Sequence, residues 1–309
     1  MSSEPLARGA EPAPGYEVIE HLSRGRRLDV YDAWSAERGC RCVIKALRPE
    51  RAHEATAREL LVREGRLLER LGHPHLVRAY ETLLDPAPMI VLETLGGQTL
   101  AHMIEEEQRP LAPVELGHLG LHLGSAVGYL HRNGFLHLDL KPSNVVADGG
   151  RAKLIDLSLA RPPGPAPAGI GTWCYLAPEQ ASGGELGPAA DVWGIGVVLF
   201  EAATGQPAFD DPGHESDDLP STDADGSMTW ASYDGDYPQL ERRAPRVANV
   251  APAPPAIAEL IDGCLEPAPE DRPPLDRLLG ELETVAAPPE HERRWSLGAV
   301  DRDRRPLRA

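Results

Sequence analysis

The stretch His137-Leu138-Asp139-Leu140-Lys141-Pro142-Ser143-Asn144 sets an acid, an ammonium and an amide close together on one short run. Lys141 is one of only three lysines in 309 residues, against 28 arginines. High Ala, Pro and Gly go with that bias, as a GC-rich coding sequence would produce. A lysine that persists under it is a candidate for chemistry an arginine cannot do, because Arg is a planar fork of five donors and Lys a compact ammonium on a thin stem. Lys45 is a second such residue, at the end of the β-type run Arg41-Cys42-Val43-Ile44-Lys45.

The length and the 41% apolar content allow one large domain or two lobes with a sizeable core. A formal charge of −17 argues against a nucleic-acid binder, which would show a basic face, and suits basic or cationic partners. No run approaches the about 18 consecutive apolar residues of a membrane span. Residues 192–203, the longest candidate, are interrupted by glycine and read as a buried helix. The start lacks the apolar core of a secretory signal, so residues 1–15 are expected to be a flexible leader and the location cytoplasmic. Cys40, Cys42, Cys174 and Cys264 give no paired CxxC spacing. Cys40 and Cys42 share one strand face, which leaves a zinc or redox role open, but thiols in a reduced cytosol are the favoured account.

Strands are expected at 16–22 and 29–34 about the tight connection Ser23-Arg24-Gly25-Arg26, then at 40–47, 76–84 and 88–93. A helix is expected at 53–71, where Leu60, Leu61, Leu67, Leu68 and Leu71 recur amid charge. After Gly96-Gly97, a hinge, helical patterns at 114–132 and 188–204 flank short strands and loops. The expected division is a small β-rich unit at 16–95 and a larger, mainly helical one at 96–285. Residues 209–236 form an acidic insert with nine Asp or Glu and no Lys or Arg, and 286–309 a flexible Arg-rich tail.

Further chemistry-bearing residues follow in a fixed order: Glu64, nine before His73-Pro74; Asn144, five after Asp139; and Asp156 in Ile155-Asp156-Leu157-Ser158. Then come Gly171-Thr172-Trp173-Cys174-Tyr175-Leu176-Ala177-Pro178-Glu179, Asp191 in Asp191-Val192-Trp193-Gly194, and Arg272 in Asp271-Arg272-Pro273. A lone HxD or DxS would be weak evidence; the ordered set is specific. Over about residues 16–285 it resembles the eukaryotic-like Ser/Thr protein kinases of bacteria.

The resemblance implies an α+β, two-lobed protein kinase fold with ATP and Mg2+ in the cleft. It implies that Lys45 neutralises the α- and β-phosphates and pairs with Glu64, spacing favouring Glu64 over Glu69. Asp139 would accept or orient the proton of the substrate hydroxyl, and Lys141 would reach the γ-phosphate. Asn144 and Asp156 would hold magnesium, which takes hard oxygens plus substrate phosphates rather than a full protein cage. Leu22, Ser23, Gly25, Val30, Val43, Glu93 and Leu95 fall at nucleotide-lining positions. Thr172 would help to seat a peptide, Glu179 would pair with Arg272, and Asp191 would brace the catalytic loop. Kinases of small molecules share the HxD loop and the metal Asp but lack a segment like 171–179. Lys141-Pro142 with Thr172 resembles Ser/Thr rather than Tyr specificity.

The sequence also departs from the pattern. With Val30 closing GxGxxGxV, the three glycine positions hold Ser23, Gly25 and Leu28, so the backbone is less free to approach phosphates, and weaker nucleotide affinity or slower transfer is expected. Val43 replaces the usual Ala and adds two methyls beside the expected adenine. Leu138 replaces the Arg that in many relatives binds a phosphate on the activation loop, and 159–171 contains no Ser, Thr or Tyr. Receiver and acceptor are missing together, so activity is expected not to depend on phosphorylation of that loop, whose prolines limit its freedom instead. Leu157-Ser158 stands for Phe-Gly, and Ser restricts φ where Gly would not.

The acidic insert reads first as a solvated loop, and second as an electrostatic lure for an Arg-rich partner. The tail string Arg293-Arg294-Trp295-Ser296-Leu297 resembles a substrate of basic-directed kinases, although Gln98 and Ser143 stand where those enzymes place carboxylates. The expected activity is transfer of the γ-phosphoryl group of Mg·ATP to Ser or Thr of protein substrates. The alternative is a pseudokinase, an ATP-binding or scaffolding module, favoured by the depleted glycine loop and Val43 and opposed by the intact chemical residues.

Overall fold

Alternating burial builds the first sheet of the computed structural model, which describes residues 4–107, 110–209, 221–222, 228–229 and 237–287. In β1 (Tyr16–Arg24), Tyr16 and Val18 are buried while Glu17 and Glu20 face solvent. β2 (Leu28–Ser35) and β3 (Cys40–Leu47) follow by tight turns; then come α1 (Ala55–Arg70), β4 (Ala79–Leu83) and β5 (Met89–Glu93). The antiparallel sheet has the order β1-β2-β3-β5-β4. β5, between β3 and β4, reads as continuous apolar sequence, Met89 to Leu92, because both its faces are covered. One face carries a small cluster of Tyr16, Tyr31, Cys42, Ile44 and Val91, and the other joins the main core through α1.

α1 turns Leu60, Leu61, Leu67 and Leu68 inward together with Glu64 and Gly65. A Cβ on Gly65 would lie 2.2 Å from Thr82 Oγ1, so the missing side chain is what lets α1 sit this close to β4. The strand expected at 76–84 is shorter. Leu76 instead bridges Leu154 in parallel, and Val77 N–H donates to the Leu154 carbonyl at 2.8 Å, stitching the small lobe to the large one.

The larger lobe contains β6 (Gln98–Thr99), α2 (Leu100–Glu107), α3 (Pro113–Arg132), β7 (Val145–Asp148), β8 (Arg151–Leu154), β9 (Gly164–Ala166), α4 (Pro178–Ser182), β10 (Gly184–Leu186) and α5 (Pro188–Thr204). α6 (Pro238–Glu241), α7 (Val247–Val250), α8 (Pro255–Cys264) and α9 (Leu275–Ala286) complete it. α5 is apolar all round and buried from Ala190 to Phe200, as a central helix must be. This is the α+β, two-lobed architecture the sequence resemblance implies.

Two expectations change. The leader is seated rather than flexible over its described part: Gly9 N–H donates to Val18 O at 2.8 Å, Val18 N–H to Ala10 O at 2.9 Å, and Ala13 is buried in the small cluster. Edge pairing and apolar contact over Leu6, Ala10 and Ala13 supply the reason. The Pro-rich loop is not merely stiffened: β9 pairs antiparallel with β10, and Leu136 and Arg161 exchange backbone bonds of 2.7 and 3.1 Å.

Within the acidic insert, Ser221–Thr222 pairs with Met228–Thr229. All nine acidic positions of the insert, the Arg-rich tail from 288 and Ser296 lie outside the described residues. The four cysteines are free thiols, and burial pushes Cys42 up to about 11 and Cys264 up to about 12. No helix among the described residues is long and apolar enough to cross a membrane.

Candidate active site

β3 runs between β2 and β5, so its last polar residue, Lys45, is set opposite Val30 on one side and Ile90 on the other. Its Nζ lies 2.9 Å from each carboxylate oxygen of Glu64 on α1 and 2.8 Å from Asp156 Oδ2, after β8. Lys45 and Glu64 are both buried. Burial by itself would lower the Lys45 pKa, but Asp156 and Glu64 outweigh it and hold the ammonium charged. Burial would raise Asp156, yet Lys45 and the Ser158 N–H keep its carboxyl below the usual range. Glu64 is pushed up to about 7, by burial first and then by the Asp156 charge, against the pull of Lys45. One ammonium between two enclosed carboxylates leaves negative charge to be met by a cation. Glu69, the rival on the same helix, is exposed.

The Glu64 value carries a prediction. As the pH falls through about 7, Glu64 takes a proton well before an exposed glutamate would, and its ion pair with Lys45 weakens to a hydrogen bond onto a neutral carboxyl. Since kcat/KM reports the free enzyme, kcat/KM for ATP should fall on the acid side near pH 7, and Glu64→Gln should erase that limb. A limb that persisted in Glu64→Gln would assign the titration elsewhere.

Asp139 forms the second centre. Thr172 donates to its Oδ1 through Oγ1 at 2.7 Å and N–H at 3.1 Å, and Lys141 Nζ is 3.2 Å from Oδ2. Lys141 also donates to Thr172 Oγ1 at 2.5 Å. Asn144 sits on a single 3-10 turn opened by Pro142, and its Nδ2 donates to Asp139 O and Oδ2, each at 2.9 Å. With those donors committed, the Asn144 carbonyl oxygen remains as its acceptor. Among the described residues no three His, Cys, Asp or Glu side chains group to hold a metal by themselves. The donor set, one Asp156 carboxylate and one Asn144 amide oxygen beside surplus negative charge, fits magnesium bound largely through phosphates.

The loop is held in a strained form. Leu138 has φ 66°, a left-handed conformation costing a non-glycine residue of order 1–3 kcal/mol. Asp191, in the first turn of α5, accepts the N–H of Leu138 at 2.8 Å and of His137 at 2.9 Å, and contacts His131 Nε2 at 2.7 Å. From the other side, Gln180 Nε2 donates to Leu138 O at 2.9 Å and Ile170 O at 2.7 Å, while its Oε1 accepts the Ala177 N–H. Gln180 and His131 were not legible in the sequence; no spacing marks them.

Arg272 meets Glu179 with two bonds of 2.6 and 2.8 Å, and gives its other donors to the carbonyls of Ala189, Glu266 and Pro267. All five guanidinium N–H groups are used, which a lysine could not reproduce. Of the positions expected to line a nucleotide, Val30 and Val43 flank Lys45 on β2 and β3, both partly buried. Leu22 is 51% exposed on the edge strand, an apolar side chain without cover, and Ser23 and Gly25 beyond it are exposed too. Leu95 is partly buried after β5. The Glu93 carboxylate accepts the Arg78 N–H and Lys153 through Oε1, and its backbone N–H donates to Arg78 O at 2.9 Å.

Comparison with known proteins gives the same class. The protein kinase domain family matches residues 16–281, and the chain belongs to that family. It is 31% identical over 299 residues to PkaA, a serine/threonine-protein kinase of Streptomyces coelicolor, a match covering 93% of this chain and 50% of PkaA. With PknB of Mycobacterium tuberculosis it shares 32% over 207 residues, 63% of this chain and 33% of PknB. The chain therefore spans half or less of the length of these relatives. In fold it resembles the crystal structure of the M. tuberculosis PknI kinase domain, with a TM-score of 0.68 at 21% identity, covering 91% of this chain and 100% of that one.

Proposed function

We propose that this protein is a cytoplasmic Ser/Thr protein kinase that transfers the γ-phosphoryl group of Mg·ATP to hydroxyls of protein substrates. The observation that carries the reading is Lys45 touching Glu64 and Asp156 at once, which joins α1 and the segment after β8 around a single ammonium. Magnesium, held by Asp156 and Asn144, would neutralise charge on the phosphates. Lys45 orients the nucleotide's inner phosphates. Asp139, its oxygens aimed by Thr172 and Asn144, orients the substrate hydroxyl and takes its proton as the new O–P bond forms and the bond to ADP breaks. Lys141 meets the charge on the moving group. The Thr172 hydroxyl between Asp139 and Lys141 supports a Ser/Thr acceptor, and the charge of −17 favours basic substrates. The alternative of a module without chemistry is not favoured, since the matched relatives are named as kinases and every chemical residue is present.

The test is transfer of 32P from labelled Mg·ATP to Ser and Thr of a mixed protein substrate, with a family-range turnover of about 1–100 per second. Nucleotide binding without transfer would sink the proposal. A companion expectation concerns the activation segment. β9–β10 pairing and the Leu136–Arg161 bridge hold it with no phosphate acceptor in 159–171. Phosphatase treatment should therefore leave the rate unchanged, and a loss would place control at a site elsewhere.

A further inference from the structure

Two of the three glycines are missing from the turn that would cover the phosphates, and arginines brace it instead. The Gly25 N–H closes the hairpin on Leu28 O at 2.8 Å. Arg24 forks onto Asp29 with bonds of 2.8 and 2.9 Å; Asp29 is 1% exposed and also meets His21 at 3.1 Å. Just past β3, Arg48 Nη1 donates to Gly25 O at 3.1 Å and to Arg26 O at 3.3 Å. The Arg48 N–H donates to Arg27 O at 2.9 Å, and Glu50 holds its guanidinium through Nε at 2.9 Å. Arg27 reaches Glu54, the residue preceding α1, at 3.2 Å, and Arg51 shares that carboxylate at 2.7 Å.

A trans peptide points its N–H opposite its C=O. Fixing the carbonyls of Gly25 and Arg26 therefore fixes the direction of the Arg26 and Arg27 amides, away from Arg48. Resting on the kinase reading, we propose that Arg48 is a positioning residue that pre-orients these two amides toward the nucleotide's phosphates, in place of the freedom that glycines would give. Through Arg27 and Glu54 the same network ties the turn to the start of α1, the helix that carries Glu64. Preorganisation of this kind lowers the ordering cost met on binding. An ordinary surface ion pair would do none of this and contributes little.

The experiment compares ATP and adenosine binding to the full chain by calorimetry, with KM and kcat alongside, for Arg48→Gln, Arg48→Lys and Glu50→Gln. Arg48→Gln should weaken Mg·ATP about three- to tenfold, the cost of ordering one or two freed residues, and leave adenosine, which has no phosphates, unchanged. KM for ATP should rise more than kcat falls. Arg48→Lys, a point donor without the fork, should lie between, and Glu50→Gln should follow Arg48→Gln more weakly even where Arg48→Gln folds poorly. Equal losses for ATP and adenosine, or an unchanged ATP affinity in both Arg48→Gln and Glu50→Gln, would overturn the proposal. A wild type that binds ATP without transfer sinks only the kinase reading; one that binds no ATP sinks both.

Discussion

Asp139→Asn should lower phosphoryl transfer by about 10²–10⁴-fold, the span typical of a lost general base, while Mg·ATP still binds. The side chain keeps its volume, so the loop keeps its packing. What changes is that Oδ1 accepts two bonds from Thr172 while Oδ2 faces Lys141 and Asn144. An amide can satisfy only one of these sides as an acceptor and must turn an NH2 toward donors on the other. It also cannot take the hydroxyl proton. Thr172→Val, which removes one donor from Oδ1 and keeps the carboxylate, should cost less. A radiometric assay beside a thermal-shift titration separates transfer from binding; a Asp139→Asn protein with near-normal rate would refute the assigned role.

Gly65→Val should cripple the proposed phosphoryl transfer without touching any group assigned to it. A Cβ at Gly65 would lie 2.2 Å from Thr82 Oγ1, 2.9 Å from Thr82 Cγ2 and 3.1 Å from Ile90 Cγ1. Either Thr82 rotates or α1 moves outward. Overpacking of this sort costs about 1–3 kcal/mol, and an outward α1 carries the adjacent Glu64 off Lys45. A loss of about 1.4 kcal/mol in transition-state stabilisation is already tenfold in kcat/KM. Gly65→Ala should be milder, because alanine regains about 1 kcal/mol of helix propensity. Thr82→Ala empties the contested space at little cost, since the Thr82 hydroxyl is buried without a partner. The double substitution should thus recover activity lost by Gly65→Ala, a coupling that a double-mutant cycle of urea melts and kinetics would detect. Additive losses would show that α1 is seated by something other than this contact.

The candidate chemical residues were legible from fixed types at fixed spacings: Asp139, Lys141 and Asn144 share one loop, and Glu64 stands nine residues before His73-Pro74. The five-stranded sheet was legible from short apolar runs bounded by turn residues, with alternation plain at the start of β1 and absent from β5. Contacts between distant segments left no such trace. Nothing in Gln180 announces that it spans Leu138 and Ile170, nor in Arg48 that it grips a turn 22 and 23 residues away. The β9–β10 pairing hid behind prolines, which argue against strands but are tolerated at edges. The leader misled because its small apolar residues give no period, although Ala13 is buried against the sheet.

Scarce ε-amines make this protein unusually clean for covalent occupancy probes. Its three lysines all sit in ion pairs, Lys45 with Glu64, Lys141 with Asp139 and Lys153 with Glu93. Acylating reagents free in solution would find Lys45 protonated and sluggish, whereas one delivered on a nucleotide would react at high effective concentration. A single mass increment on Lys45 or Lys141, blocked by competing ATP, would then report cleft occupancy against almost no background from the arginine-covered surface.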